Sequence, residues 1–274
     1  MGASPIFVRL ADVGPFASAF WRAALALPAL WAWAQFEGRT APEGQKTAGF
    51  TMPVILAGLF FAGDLFFWHL SIMGTSVANA TFLSTTAPLW VVLASWLLLR
   101  QRIARATIAG LVFCLAGGML LMGQSYSYAP QRLMGDIYGL ITAIFFGFYI
   151  LSIGRARTTH GSARLVFMST LITAGVLFAV AFLLEDRLLP ASLNGWLILI
   201  ALALVSQVAG QGLLAIALGR LPATFSSLVI FVEAIAAAAL GWIFLGENLG
   251  LTQMLGGVAI LAGIWIARPK GKST

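Results

Sequence analysis

Long apolar runs separated by short polar connectors make up most of the chain. Runs such as Ser76 to Leu98 and Pro222 to Leu245 hold about twenty residues or more, enough to cross roughly 30 Å of hydrocarbon as α-helices. Cutting at proline, glycine and charge clusters predicts spans over residues 15–36, 50–71, 76–98, 105–124, 134–154, 163–184, 194–217, 222–245 and 249–267. A β-barrel would show short alternating segments instead. A shorter apolar piece, residues 1–11, precedes these spans. As a helix it reaches only about 16 Å, so it reads as half a helix or as one whose start is missing.

A repeat relates the two halves. Sliding the second over the first by 146 positions puts Trp96 on Trp242, Leu99 on Leu245, Gly110 on Gly256, and Leu115-Ala116-Gly117 on Leu261-Ala262-Gly263. The same shift sets the span beginning at Met134 on a first span that starts before Met1, which makes helix 1 incomplete at the N-terminus. The expectation is an all-α integral membrane protein of ten transmembrane helices. They form two five-helix repeats, residues 1–124 and 134–274, and an odd number of helices per repeat inserts the two in inverted orientation.

Composition excludes the soluble classes. Of 274 residues, 60% are apolar and 9% are charged, whereas a soluble surface needs roughly 25% charged residues. The net charge of +7 is not massed into a nucleic-acid patch but scattered through connectors. Twelve basic residues, among them Arg39, Arg100, Arg157, Arg164 and Arg268, fall on one side, and only Arg132 and Arg187 on the other. By the positive-inside bias the C-terminus is cytoplasmic. One cysteine, Cys114, and two distant histidines, His69 and His160, offer neither a disulfide, a metal cluster nor a nucleophile with its base. No cofactor, metal or enzymatic activity is expected. The partners are the bilayer and a small molecule, and the chain is a monomer or a homodimer.

Polar side chains within spans are costly and so are functional candidates. Arg22 and Asp64 lie at similar depth near the external side and read either as a structural ion pair or as substrate contacts. Glu233 stands at the centre of the 222–245 span, seven residues after Ser226, and is the candidate for proton coupling; a protonated, hydrogen-bonded structural acid is the alternative. His69, near the outer end of its span, is either an outer substrate contact or an interfacial histidine satisfied by water. His160 falls in a basic connector. Tyr138, Thr142, Phe145 and Tyr149 follow helical spacing and make one aromatic, hydroxylated stripe. Asn79, Thr86 and Trp90 share another face, and Gln207 and Gln211 lie one turn apart. So many uncharged donors and acceptors point to a solvated central cavity. The small residues Gly110, Cys114, Gly117, Gly118, Gly256, Gly257 and Gly263 point to helix packing.

The stretch Asn79-Ala-Thr-Phe-Leu-Ser-Thr-Thr-Ala-Pro-Leu, with Pro88, and the stretch Leu245-Gly246-Glu247-Asn248 resemble the drug/metabolite transporter superfamily, EamA type, over the whole chain. The first half departs from that pattern, with Arg100-Gln101 where Gly-Glu is expected. Within the superfamily the aromatic stripe and uncharged polar positions are similar to those of bacterial aromatic amino acid exporters. The resemblance implies efflux of aromatic and other neutral amino acids across the bacterial inner membrane by alternating access. An exporter or uniporter of other drugs or metabolites is the alternative, and a channel the more distant one.

Overall fold

The computed structural model describes residues 4–40, 49–122, 130–245 and 250–269. The beginning of helix 1, the Gly246-Glu247 pair, and the basic residues Lys46, Lys270 and Lys272 lie outside the described residues. Within them every regular element is helical and no strand occurs. Six helical stretches are long and apolar enough to cross a membrane: Met52–Gly74, Ala78–Leu97, Arg105–Met122, Pro130–Ala156, Ser162–Leu184 and Leu193–Leu218. Ala223–Ala236 and Leu251–Ala267 are shorter apolar helices. The chain is a multi-pass membrane protein.

Two of the spans predicted as continuous carry a proline-associated break. The first divides into α2 (Pro15–Ala24) and α3 (Leu27–Thr40), preceded by α1 (Ser4–Leu10). Pro28 has no N–H to offer the carbonyl four residues back, so the first segment ends there. After α4 (Met52–Gly74), the next span divides into α5 (Val77–Thr85) and α6 (Ala87–Leu97), with Pro88 just inside α6. There follow α7 (Arg105–Met122), α8 (Leu133–Ala156), α9 (Ser162–Leu184) and α10 (Leu193–Ala201). A π-helical segment, Leu202–Gln211, joins α10 to α11 (Gly212–Leu218). The span predicted over 222–245 is interrupted too: α12 (Ala223–Leu228) and α13 (Val232–Leu245) flank a tight 3-10 turn, Val229–Phe231. The last helix is α14 (Leu251–Ala267).

The chain forms two compact units, each drawing on both halves of the sequence. One combines the residues up to Leu70 with Phe148–Arg220; the other combines Ser71–Gly147 with Leu221 onward. The division falls inside α4 and inside α8.

In the first unit α9 packs along both α2 and α3, and α1 packs on α10 and the π segment. Carboxylates from neighbouring elements satisfy the helix starts. Glu37, near the end of α3, accepts hydrogen bonds from the backbone N–H groups of Ser162, Ala163 and Arg164 at the start of α9, at 2.8, 2.8 and 3.3 Å. Glu185, just past the end of α9, accepts from Phe16 and Ala17 at the start of α2, at 2.6 and 3.1 Å. The two caps are reciprocal across one antiparallel pair. Both helices begin after a glycine, Gly14 or Gly161, which leaves room for the incoming carboxylate and offers no side-chain cap of its own. Pro15 brings no N–H, which accounts for two bonds at α2 against three at α9. Asp12 does the same for α10 through Ser192, accepting from its N–H at 2.9 Å and its hydroxyl at 2.8 Å. These contacts hold the Asp12 carboxyl below its ordinary value of 3.8, the Ser192 hydroxyl contributing most. Unmet N–H groups and the positive end of the helix dipole both favour an anion at such a place.

In the second unit α7 and α14 run antiparallel in close contact. A Cβ at Gly117 would come within 2.6 Å of the Gly256 carbonyl oxygen, and one at Gly263 within 2.6 Å of the Gly110 carbonyl oxygen. Only glycine permits that approach. These contacts bear out the packing role expected of Gly110, Gly117, Gly118, Gly256 and Gly263, while a Cβ at Gly257 would meet nothing within 4 Å. Val92, Leu111, Cys114, Leu228, Phe231 and Ile260 form the core around the seam. The turn between α6 and α7 holds Arg100 at φ 52°. That left-handed conformation suits glycine, the residue expected at this position from the family pattern, and costs a side-chain-bearing residue about 1–2 kcal/mol.

Candidate functional site

The second unit brings the two interrupted helices together at their breaks. α12 packs on α6, and α13 packs on α5, so the two broken rods lie antiparallel with their interruptions level. At the first break Thr86 sits at φ −75°, ψ 0°, and three successive hydroxyls turn back onto the helix. Ser84 donates to the Thr81 carbonyl, Thr85 to Phe82 and Thr86 to Leu83, at 2.8, 2.7 and 2.6 Å. Bonds of this kind compete with the backbone ladder and favour bending. At the second break Glu233 opens the first turn of α13. It keeps its place near the middle of the stretch expected over 222–245, two residues after the 3-10 turn that tightens the helix there.

α8 joins these elements in parallel register. A Cβ at Gly139 would lie 3.0 Å from Leu83 Cβ, and one at Gly147 3.0 Å from Trp90 Cβ. That register sets Thr142 opposite the Thr85–Thr86 break. The Thr142 hydroxyl, the Trp90 indole nitrogen Nε1 and the Ser226 hydroxyl are buried atoms with no hydrogen-bond partner. Asn79 is engaged: its amide donates to Asp136 at 3.1 Å, and the Thr75 hydroxyl donates to the same carboxylate oxygen at 2.7 Å. Tyr138 and Phe145 are half-buried in this unit.

The first unit carries a separate polar group. Arg22 is 4% exposed and Asp64 7% exposed, and both act electrostatically on Tyr149. The Tyr149 and Phe61 rings meet in a tilted arrangement with centroids 4.7 Å apart, and the Arg22 guanidinium lies 5.7 Å from the same Phe61 ring. Arg22 falls in the last turn of α2, where the carbonyl end of the helix favours a cation. His69 is wholly buried, which corrects the expectation of an interfacial, water-satisfied ring. Its Nδ1 donates to the Leu65 carbonyl at 2.7 Å, and its Nε2 is buried without a partner. In the π segment Gln207 donates to the Thr170 hydroxyl at 3.0 Å while its carbonyl oxygen is unpartnered; Gln211 is buried one turn on. Such π segments recur at functional sites.

His160 lies in the connector that follows α8. It is fully buried, its Nε2 donating to the Gly49 carbonyl at 2.9 Å, and the Arg157 guanidinium donates to the carbonyls of Ala215, at 3.0 Å, and of His160. Burial pushes the Arg157 guanidinium below its ordinary range. Among the described residues no three His, Cys, Asp or Glu side chains converge as a metal site would require. The features that the sequence reading missed are the interhelical caps Glu37, Glu185 and Asp12. An acid just past an apolar span, together with a glycine-started helix elsewhere, was the signal available.

Apolar helices interrupted at matching positions, with buried uncharged polar atoms gathered at the interruptions, define a membrane transporter as the class. The EamA-like transporter family model matches residues 1–123 and 133–268, and the chain belongs to that family. It is 28% identical over 221 residues to the pseudopaline exporter CntI of Pseudomonas aeruginosa strain UCBPP-PA14, covering 80% of this chain and 76% of that protein. It is 31% identical over 223 residues to the threonine/homoserine exporter RhtA of Escherichia coli K12, covering 77% of this chain and 69% of that one. A solved crystal structure shares the fold with a TM-score of 0.79 at 18% identity, over 97% of this chain and 91% of that chain.

Proposed function

We propose that the protein exports neutral amino acids and amino-acid-derived metabolites, aromatic ones included, across the bacterial inner membrane by alternating access. The reading takes ten helices as two inverted repeats with a cytoplasmic C-terminus. The observation that carries it is the set of buried, unpartnered polar atoms at the aligned helix breaks: Thr142 Oγ1, Trp90 Nε1 and Ser226 Oγ. Buried polar atoms without partners are rare in native structures, and a zwitterion with a polar or aromatic side chain supplies both donors and acceptors to meet them. His69 Nε2 and Gln207 Oε1 are further unpartnered acceptors. Thr86, Asn79 and Tyr138 in the second unit, and Tyr149 and Gln211 in the first, are also proposed as substrate-binding residues. Of the relatives named above, one exports pseudopaline and the other threonine and homoserine.

Glu233 carries the proposal for energy coupling, because an acid at a helix break can exchange a proton as the surrounding packing changes. Proteoliposomes loaded with Phe, Trp, Tyr, Met, Thr or a charged amino acid, with and without a pH gradient, test both parts. Saturable efflux of neutral substrates, with Thr142→Val and Trp90→Phe raising KM, is expected. Glu233→Gln should abolish acceleration by the gradient and leave substrate-for-substrate exchange intact. Transport confined to non-amino-acid compounds would overturn the substrate class, non-saturating flux would indicate a channel, and indifference of the wild type to the gradient would indicate a uniporter. A Thr158→Cys chain in a Cys114→Ser background should label only from the cytoplasmic side, and an Asp186→Cys chain only from outside.

A further inference from the structure

Arg157 follows the last residue of α8 and joins separate elements of the first unit. Its Nε donates to the Ala215 carbonyl in the last turn of α11 at 3.0 Å, and its Nη1 donates to the His160 carbonyl in the connector leading to α9. The His160 imidazole donates to Gly49, so the same connector reaches the residues that lead into α4. The guanidinium also lies against Gly219, where a Cβ would collide with it. A helix end leaves its last carbonyls without intrahelical partners, and a cation meets both those oxygens and the negative end of the dipole. The Glu37 carboxylate acts favourably on the charge of this guanidinium, and Arg220 acts against it.

The repeat supplies an internal comparison. The 146-position shift carries Ala11 onto Arg157, His69 onto Ala215 and Met73 onto Gly219. Ala11 ends in a methyl group, which donates nothing, and Met73 brings a side chain where Gly219 has none. Arg9 corresponds under the same shift to Arg155, which is exposed. The caps made by Glu37 and Glu185, by contrast, stand at both ends of α9. In a carrier of inverted repeats the two access states are related by exchange of the repeats' conformations. Contacts that occur at both ends therefore favour neither state, whereas a contact built at one end favours the state in which that end is closed.

We infer that Arg157 is a one-sided latch on the cytoplasmic end of the first unit, tying the ends of α8 and α11 together while that end is closed and releasing both carbonyls when it opens. The inference rests on the alternating access and the orientation proposed above. Its acceptors suit a bond that must break in every cycle. A backbone carbonyl carries no full charge, so release costs two hydrogen bonds and strands no buried anion, as parting an ion pair would.

The test uses the full chain in membrane vesicles of known sidedness, with single cysteines in a Cys114→Ser background and a membrane-impermeant maleimide. Leu218→Cys reports on the latch, three residues past Ala215, and Ser18→Cys on α2 reports on the opposite end; both positions are buried. Arg157→Gln should speed cytoplasmic labelling of Leu218→Cys about tenfold, the loss of roughly one net hydrogen bond from a charged donor, and should slow external labelling of Ser18→Cys. Arg157→Lys should lie between, because an ammonium lacks the planar fork of donors. Gly219→Ala keeps the arginine but displaces its guanidinium and should act in the same direction, which keeps the test decisive if Arg157→Gln does not fold. Faster labelling at Leu218→Cys with Ser18→Cys unchanged would mean local fraying and would overturn the latch. If a saturating neutral amino acid moves the two labels in opposite directions while Arg157→Gln and Gly219→Ala move neither, the latch falls and alternating access stands. Labels that respond neither to substrate nor to these variants would overturn both.

Discussion

Cys114 and Ile260 touch across the seam between α7 and α14, the thiol lying 3.6 Å from the Ile260 carbonyl oxygen, and they are 146 positions apart. That separation is the shift that superimposes the two halves of the sequence. A residue meets its own repeat counterpart only where the pseudo-two-fold axis passes. The flanking contacts obey the same operation: Gly110 with Gly263, and Gly117 with Gly256, exchange under it. So do the pairings of α12 with α6 and of α13 with α5. The axis of the second unit thus runs through its tightest helix pair and between its two helix breaks.

Adjacent glycines on α14 should behave oppositely. A Cβ at Gly256 would meet backbone atoms of Gly117 and Leu121 at 2.6 Å, whereas one at Gly257 meets nothing within 4 Å. Gly256→Ala should lower stability by about 1–3 kcal/mol through overpacking. Gly257→Ala should be neutral or raise it by about 0.5–1 kcal/mol through helix propensity. Thermal melts in detergent decide this, and equal effects would show that the seam is looser than described.

The reciprocal caps rank by the bonds they accept. Glu37→Ala strands three N–H groups and Glu185→Ala strands two. Losses of about 1–3 kcal/mol are expected, with Glu37 the larger. Melts of the two variants check the order, and a neutral Glu37→Ala would remove the cap from the account of how α9 begins.

Asp12 makes stability depend on pH with a definite sign. Its carboxyl is held below the ordinary 3.8, chiefly by the Ser192 hydroxyl and with help from backbone N–H groups. A depressed folded-state value means the stabilisation is present above 3.8 and disappears as pH falls through the lower, folded-state value. Asp12→Asn should therefore melt below wild type near neutrality, and the two curves should converge in acid. A gap that persists or widens in acid would contradict the assignment.

Arg22 and Asp64 are proposed as a buried pair beside Tyr149. Asp64→Asn or Arg22→Gln alone should cost about 3–5 kcal/mol, because each leaves its partner's charge buried, and the double variant should cost less than the sum. Strictly additive losses in a double-mutant cycle would show that the two groups do not interact.

The sequence by itself determined that the chain is built of apolar helices made for lipid. That is set by local composition: no apolar run such as 163–184 can avoid the bilayer, and a backbone in hydrocarbon must bond to itself as helix. Pro28 and Pro88 stood in spans expected to be continuous, and the breaks beside them emerged only in the structure. What tertiary structure alone decided was the partner of each polar group. Glu37 lies 125 positions from Ser162 and Glu185 lies 169 from Phe16, and no spacing rule connects an acid at one span's end to N–H groups at the start of another. His160 stood in a basic connector and His69 near a span's end, yet both are sealed in by neighbours distant in sequence or packed around them, because burial belongs to the assembled helices and not to the segment. Glu233 shows the division most sharply: its place along an apolar run could be counted from the chain, but the 3-10 turn just before it and the packing of α12 and α13 against α6 and α5 belong to the assembled helices.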